Sequence, residues 1–153
     1  MKKRHPGARF LAVGANPPAS LKRLETEVSG VELVGYVEDI LPMYTASTVV
    51  VVPIRVGGGT RTKILESLAL GRPVVSTPVG AEGLPVEHEK NILIADTEEA
   101  FAGAVLAVHS DEILSRTLVE AGRDLVETHG SAHHAGRRLE EVLLKTLEKK
   151  GHA

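Results

Sequence analysis

"VPIRVGGGTRTKILESLALGRPVVSTPVG", residues 52–80, sets three consecutive glycines and two basic residues between an apolar strand-like run and a helix-like one. Glycine loses more backbone freedom on folding than any other residue, so Gly57, Gly58 and Gly59 are a costly way to build a loop. Such a loop is expected where backbone must come close to something. On its N-terminal side, Thr48–Val52 reads as a strand, apolar on both faces and therefore predicted to be central. On its C-terminal side, Thr60–Leu70 reads as a helix with Ile64, Leu65, Leu68 and Ala69 on one side and Gly71 as its stop. Pro73–Ser76 follows as the next strand.

The same alternation extends outward. Ala8–Val13 reads as a strand ended by Gly14-Ala15-Asn16-Pro17-Pro18, and Ser20 as the cap of a helix to about Val28. Val31–Val34 is a second strand closed by Gly35, and Asp39–Ala46 a short helix with Pro42 in its first turn, where proline is tolerated. Asn91–Ala95 reads as a further strand after a loop rich in Gly, Pro and Glu. From Thr97 the pattern becomes helical, over Glu98–His109, Asp111 to about His129, and Ser131–Lys149. Short β-branched runs alternating with helices define an α/β fold, a Rossmann-like parallel sheet flanked by helices, with residues 1–95 alternating and 96–153 helical in one domain.

Composition narrows the function. The formal net charge of −2 over 153 residues gives no general attraction to nucleic acid or to an anionic membrane. Zero cysteines exclude a disulfide scaffold and thiolate metal sites and fit a reducing, cytoplasmic interior. MKKRHPGARF carries the charge of a signal-peptide start without its apolar core. An aromatic content of 3% argues against a base-stacking platform for single strands.

A Gly-rich turn between strand and helix aims backbone N–H groups at a helix N-terminus, where the helix dipole also favours an anion. Arg55, Arg61 and Lys63 stand beside it and can add charge-assisted bonds to phosphate. Two standard nucleotide motifs fail: Lys63 precedes Ile64 rather than Ser or Thr, and position 62 is Thr where the dinucleotide fingerprint needs its last Gly. Glu66 follows Lys63 by three residues and Gly59 by seven, which puts all three on one helical face. A carboxylate there can accept hydrogen bonds from sugar hydroxyls, or simply pair with Lys63 at the surface.

The run Lys63-Ile64-Leu65-Glu66-Ser67-Leu68-Ala69-Leu70-Gly71-Arg72-Pro73-Val74-Val75, entered from a strand, Pro53 and a Gly-rich loop, resembles the donor-binding half of group 1 glycosyltransferases of the GT-B fold. Val13-Gly14, Gly35-Tyr36-Val37 and Gly80-Ala81-Glu82-Gly83-Leu84 extend the resemblance over nearly the whole chain. It implies a second Rossmann-like domain that binds a nucleotide-sugar, facing an N-terminal acceptor domain that this length leaves no room for. A sugar would pass from a nucleoside diphosphate to a glycan or lipid-linked acceptor, as in polysaccharide biosynthesis. Glu66 matches the second glutamate of the family's E-x7-E motif, which holds ribose hydroxyls; the first would fall on Gly58 and is absent. The resemblance assigns Gly57, Gly58, Gly59 and Thr60 to the diphosphate, with Gly14, Tyr36 and Val37 lining the nucleotide. Lys63 and Arg61 would stabilise the leaving diphosphate electrostatically. No cofactor and no metal is implied, since the nucleotide-sugar is the substrate. Any peripheral membrane association would run through the other half. The last helix, deprived of the surface it normally crosses to, would pack on this domain or on another copy, and the chain alone is expected to be inactive.

Other residues read less sharply. His129, His133 and His134 lie close on a helical run but lack a carboxylate to complete a metal set. Asp39 reads as a turn or helix cap, Glu82 as lining, and Ser76 and Thr77 as strand-end caps or sugar contacts. A nucleotide-sugar epimerase of the same fold and a non-catalytic nucleotide or anion sensor remain as alternatives.

Overall fold

The computed structural model describes residues 5–59 and 61–129. The helix read over Ser131–Lys149, and with it His133, His134 and Thr60, lies outside the described residues, as does the side chain of His129. The chain divides into two compact units, Met1–Ala46 and Ser47–Ala153.

In the first unit the elements are β1 (Phe10–Val13), α1 (Ala19–Glu27), β2 (Val31–Gly35) and α2 (Leu41–Ala46). β1 and β2 pair in parallel, Phe10 against Val31 and Ala12 against Leu33, with an irregularity before Val13. Ser20 does not cap α1. The helix starts at Ala19 and its cap position falls on Pro18, two residues earlier, whose carbonyl receives the N–H groups of Leu21 and Lys22. Asp39 does act as a turn cap, its Oδ1 accepting from Leu41 N at 2.9 Å. Arg9 donates from Nε and Nη2 to the two carboxylate oxygens of Glu32 at 2.9 and 2.7 Å. These hydrogen bonds foremost hold the Glu32 carboxyl below its ordinary value; desolvation opposes them, and the guanidinium charge adds a smaller pull in the same direction as the bonds. A carboxyl depressed in the folded state stabilises it above the ordinary carboxylate pKa, and that stabilisation is lost as pH falls through the folded value. Arg9→Ala is therefore expected to move the Glu32 pKa upward in an NMR titration; an unmoved value would show that Arg9 is not the cause.

The second unit runs β3 (Val50–Val52), α3 (Thr62–Ala69), β4 (Val74–Ser76), α4 (Pro78–Ala81), β5 (Leu93–Ile94), α5 (Glu98–Ser110) and α6 (Glu112–His129). Its three strands are all parallel in the order β3-β4-β5. The strand in the middle is thus β4, not β3 as its run of valines suggested. Every residue of β4 is buried, whereas Val50 and Val51 of β3 are only half-buried. Ser76 disguised the central strand by placing a hydroxyl where an apolar residue was expected.

Period-two alternation sorts the core. Val74 joins Val52 and Ile92 with Ile64 and Leu68 of α3 and Leu125 of α6. Its neighbour Val75 joins Leu93 with Val105 and Val108 of α5 and Leu118 of α6. Helices therefore cover both faces of the sheet, the mixed α/β arrangement with parallel strands that the alternation predicted.

α3 ends as foreseen. Gly71, at φ 65°, donates to Leu68 O while Arg72 N donates to Ser67 O, the paired bonds of a Schellman stop. Its buried side differs from the reading: Ser67 is buried and Ala69 exposed. Ser67 tolerates burial because its hydroxyl donates to Lys63 O one turn back.

Candidate functional site

The loop from Ile54 leaves the carboxyl end of β3 and enters α3, the edge at which open α/β sheets bind ligands. Gly57 and Gly59 take φ of 144° and 95°, conformations that side chains rarely adopt, which accounts for glycine at both positions. Gly58 has no such constraint. A Cβ built on it meets nothing within 4 Å among the described residues, so a glutamate there would not be expelled by the fold. All three glycines are exposed.

The three basic residues have different fates. Arg55 pairs with Asp96, just beyond β5, at 3.3 Å. Arg61 turns inward and is 7% exposed. Its Nη1 donates to Gly58 O at 3.1 Å, and its Nη2 to Gly57 O at 2.9 Å and to Val79 O at 3.0 Å. Lys63 stands exposed in the first turn of α3, and Glu66 lies exposed on the same helix three residues on. Arg61 is the N-cap of α3 and its side chain makes no cap bond, so among the described residues no N-cap side chain claims the first-turn N–H groups.

Beneath the loop, Ser76 and Thr77 are wholly buried and act as strand-end caps. Ser76 Oγ donates to Val52 O at 3.3 Å and to Thr77 O at 3.0 Å. Thr77 Oγ1 donates to Ile54 O and accepts from Gly80 N at 3.0 Å, closing the N-terminus of α4. Glu82 is exposed at the end of α4. Val79 was not legible as part of the site, because it contributes only a carbonyl. The burial of Arg61 was missed because a basic residue beside a glycine loop reads as a ligand contact.

In the first unit, Gly14 and Gly35 end their strands side by side, Gly14 N donating to Gly35 O at 2.8 Å. Tyr36 follows, 77% exposed, and Val37 is half-buried; β1 ends at Val13 and β2 at Gly35, so Gly14, Tyr36 and Val37 all lie at carboxyl strand ends. Among the described residues no group of three His, Asp or Glu side chains could hold a metal ion, and no helix is long and apolar enough to cross a membrane.

A parallel α/β sheet with a glycine loop that runs from a strand end to a helix N-terminus is an arrangement that suits anions and nucleotides. The family follows from the sequence: residues 1–111 match the glycosyl transferases group 1 family, and the chain belongs to it. No curated protein sequence matches. Among solved structures, the C-terminal domain of a group 1 family glycosyl transferase from Francisella tularensis is similar at 23% identity and a TM-score of 0.75, over 86% of this chain and 74% of that one. Sucrose-phosphate synthase from Thermosynechococcus elongatus is similar at 24% identity and a TM-score of 0.75, over 95% of this chain and 40% of that one. HepE of Anabaena, in complex with UDP and glucose, is similar at 19% identity and a TM-score of 0.76, over 92% of this chain and 41% of that one. At these identities the likeness establishes the fold. The chain spans about two fifths of the length of the last two proteins.

Proposed function

We propose that this chain is the nucleotide-sugar donor-binding part of a group 1 glycosyltransferase. The observation that carries the reading is the N-terminus of α3, which has no side-chain cap among the described residues and is approached by three exposed glycines and an exposed lysine. Backbone N–H groups there suit a diphosphate, and Lys63 offsets the charge that develops on it as the sugar departs. Glu66 accepts from the ribose hydroxyls farther along the helix, while Thr60 adds to the phosphate loop. Gly14, Tyr36 and Val37 are proposed to line the base, largely through backbone groups. The UDP and glucose bound by HepE support a nucleoside diphosphate sugar as the donor. The acceptor site and the acceptor are assigned to an N-terminal domain of the same enzyme, and the protein to the cytoplasm.

Titration calorimetry with a panel of nucleoside diphosphates is expected to find at least one binder. Lys63→Ala should then weaken the diphosphate roughly tenfold to a hundredfold, the cost of one charge-assisted bond, and barely affect the parent nucleoside. Glu66→Gln should weaken the ribonucleotide but not its 2′,3′-dideoxy analogue. Equal losses across both ligand pairs would instead assign Lys63 and Glu66 to surface stability.

A further inference from the structure

Arg61 presents a chemistry that the donor-site reading does not use. It is a buried guanidinium, 7% exposed, whose hydrogen bonds run to three backbone carbonyls drawn from two separate segments. Gly57 O and Gly58 O belong to the glycine loop after β3; Val79 O belongs to α4, after β4. Its Nε is buried as well and has no hydrogen-bond partner among the described residues. A residue poised to grip phosphate would present its fork to solvent, whereas this one directs three of its five N–H donors to the protein's own backbone.

A second bond reinforces the same junction. Thr77 Oγ1 donates to Ile54 O, at the start of the loop, while accepting from Gly80 N of α4. The short α4 turn is thus joined to the loop at two places, to Ile54 through Thr77 and to Gly57 and Gly58 through Arg61. Three glycines in succession have no intrinsic preference strong enough to hold one shape. Nη2 alone bridges the junction, from Gly57 O to Val79 O, and Nη1 adds Gly58 O as a second hold on the loop; a lysine ammonium has no second nitrogen in a fixed plane with the first to keep all three carbonyls in this arrangement.

We propose that Arg61 is a positioning residue, a clamp that fixes the glycine loop on the α4 turn so that its N–H groups are arranged for the diphosphate before it arrives. This rests on the donor-site reading above. It moves Arg61 from a ligand of the leaving diphosphate to the scaffold beneath it, and leaves Lys63 as the charge that meets the ligand. Preorganisation of this kind removes an ordering cost from binding, so losing it should appear in affinity.

The test joins two measurements on the intact protein, wild type, Arg61→Ala and Arg61→Lys. Amide hydrogen exchange of residues 54–63 is followed without ligand, and calorimetry compares nucleoside diphosphates with their nucleosides. In both variants the loop amides are expected to exchange faster while those of β4 and α5 do not. Diphosphate affinity is expected to fall roughly tenfold or more, with the nucleoside nearly unaffected. Arg61→Lys keeps the charge and loses the fork, so full affinity in that variant would overturn the clamp in favour of charge alone. Weaker diphosphate binding with unchanged loop exchange would overturn it in favour of a direct ligand. Faster loop exchange with unchanged affinity would reduce Arg61 to a stability role. A wild-type protein that binds no diphosphate would instead sink the donor-site reading, and this proposal with it.

Discussion

Gly80→Ala is expected to lower the thermal midpoint by roughly 3–10 °C, the response of a domain this size to about 1–3 kcal/mol of overpacking. Gly80 is buried in α4. A Cβ on it would overlap Ser76 Oγ and sit 2.8 Å from Val52 O and 3.1 Å from Thr77 Oγ1. Relief by rotating Ser76 is limited, because its hydroxyl is bonded to Val52 O and Thr77 O. Val52 O is strand backbone that also accepts from Thr77 N at 3.2 Å, so it can yield only by loosening β3 from β4. The neighbouring Val79 carbonyl would move with α4, and Arg61 would lose its outer partner. Diphosphate affinity should therefore drop along with stability. Gly103→Ala provides the contrast. Gly103 lies inside α5 with nothing among the described residues within 4 Å of its Cβ position, and alanine there should stabilise by about 1 kcal/mol through helix propensity. Thermal melts of both variants decide the matter; a Gly80→Ala midpoint at the wild-type value would show that the α4 turn is free to shift.

What could be read in advance followed the range of the interactions involved. The α3 stop at Gly71 was legible because a Schellman turn is local and glycine advertises it. The helices α5 and α6 were legible from long apolar stripes, and the structure adds that Thr97 caps α5, accepting from Ala100 N at 3.2 Å. The rank of the strands was not. Which strand is central depends on pairing between distant segments, and buried Ser76 in β4 looks less like a core residue than the valines of β3. The site divides in the same way. The glycines, Lys63 and Glu66 announced themselves by type and spacing, and the family resemblance that they carried is now matched over residues 1–111. Arg61 announced itself too, but its burial did not, since its partners are backbone oxygens, which no residue type encodes.

Leu68→Ala is expected to have the largest effect of all on stability, about 2–5 kcal/mol, as for other fully buried leucines. Leu68 is 0% exposed and packs in the cluster that joins α3 to β4 and α6. Its partner in the argument is Gly122, within α6, where an added Cβ would fall 2.7 Å from Leu68 Cδ2 and 3.5 Å from its Cβ and Cγ. Alone, Gly122→Ala gains about 1 kcal/mol of helix propensity but must displace that methyl in a packed interior, which costs about 1–3 kcal/mol. The two terms oppose, and the single variant should be neutral to destabilised. Once Leu68→Ala has removed the methyl, nothing there opposes the new Cβ. It enters the vacated space and the propensity gain stands unopposed. Gly122→Ala should then stabilise the Leu68→Ala protein by about 1 kcal/mol or slightly more, a coupling of the size seen between residues in direct contact. Denaturant titration of the four proteins in the cycle measures it. If Gly122→Ala shifts the midpoint equally in both backgrounds, α3 and α6 are not in contact through this pair, and the packing that holds α3 behind the glycine loop must be sought elsewhere in the cluster.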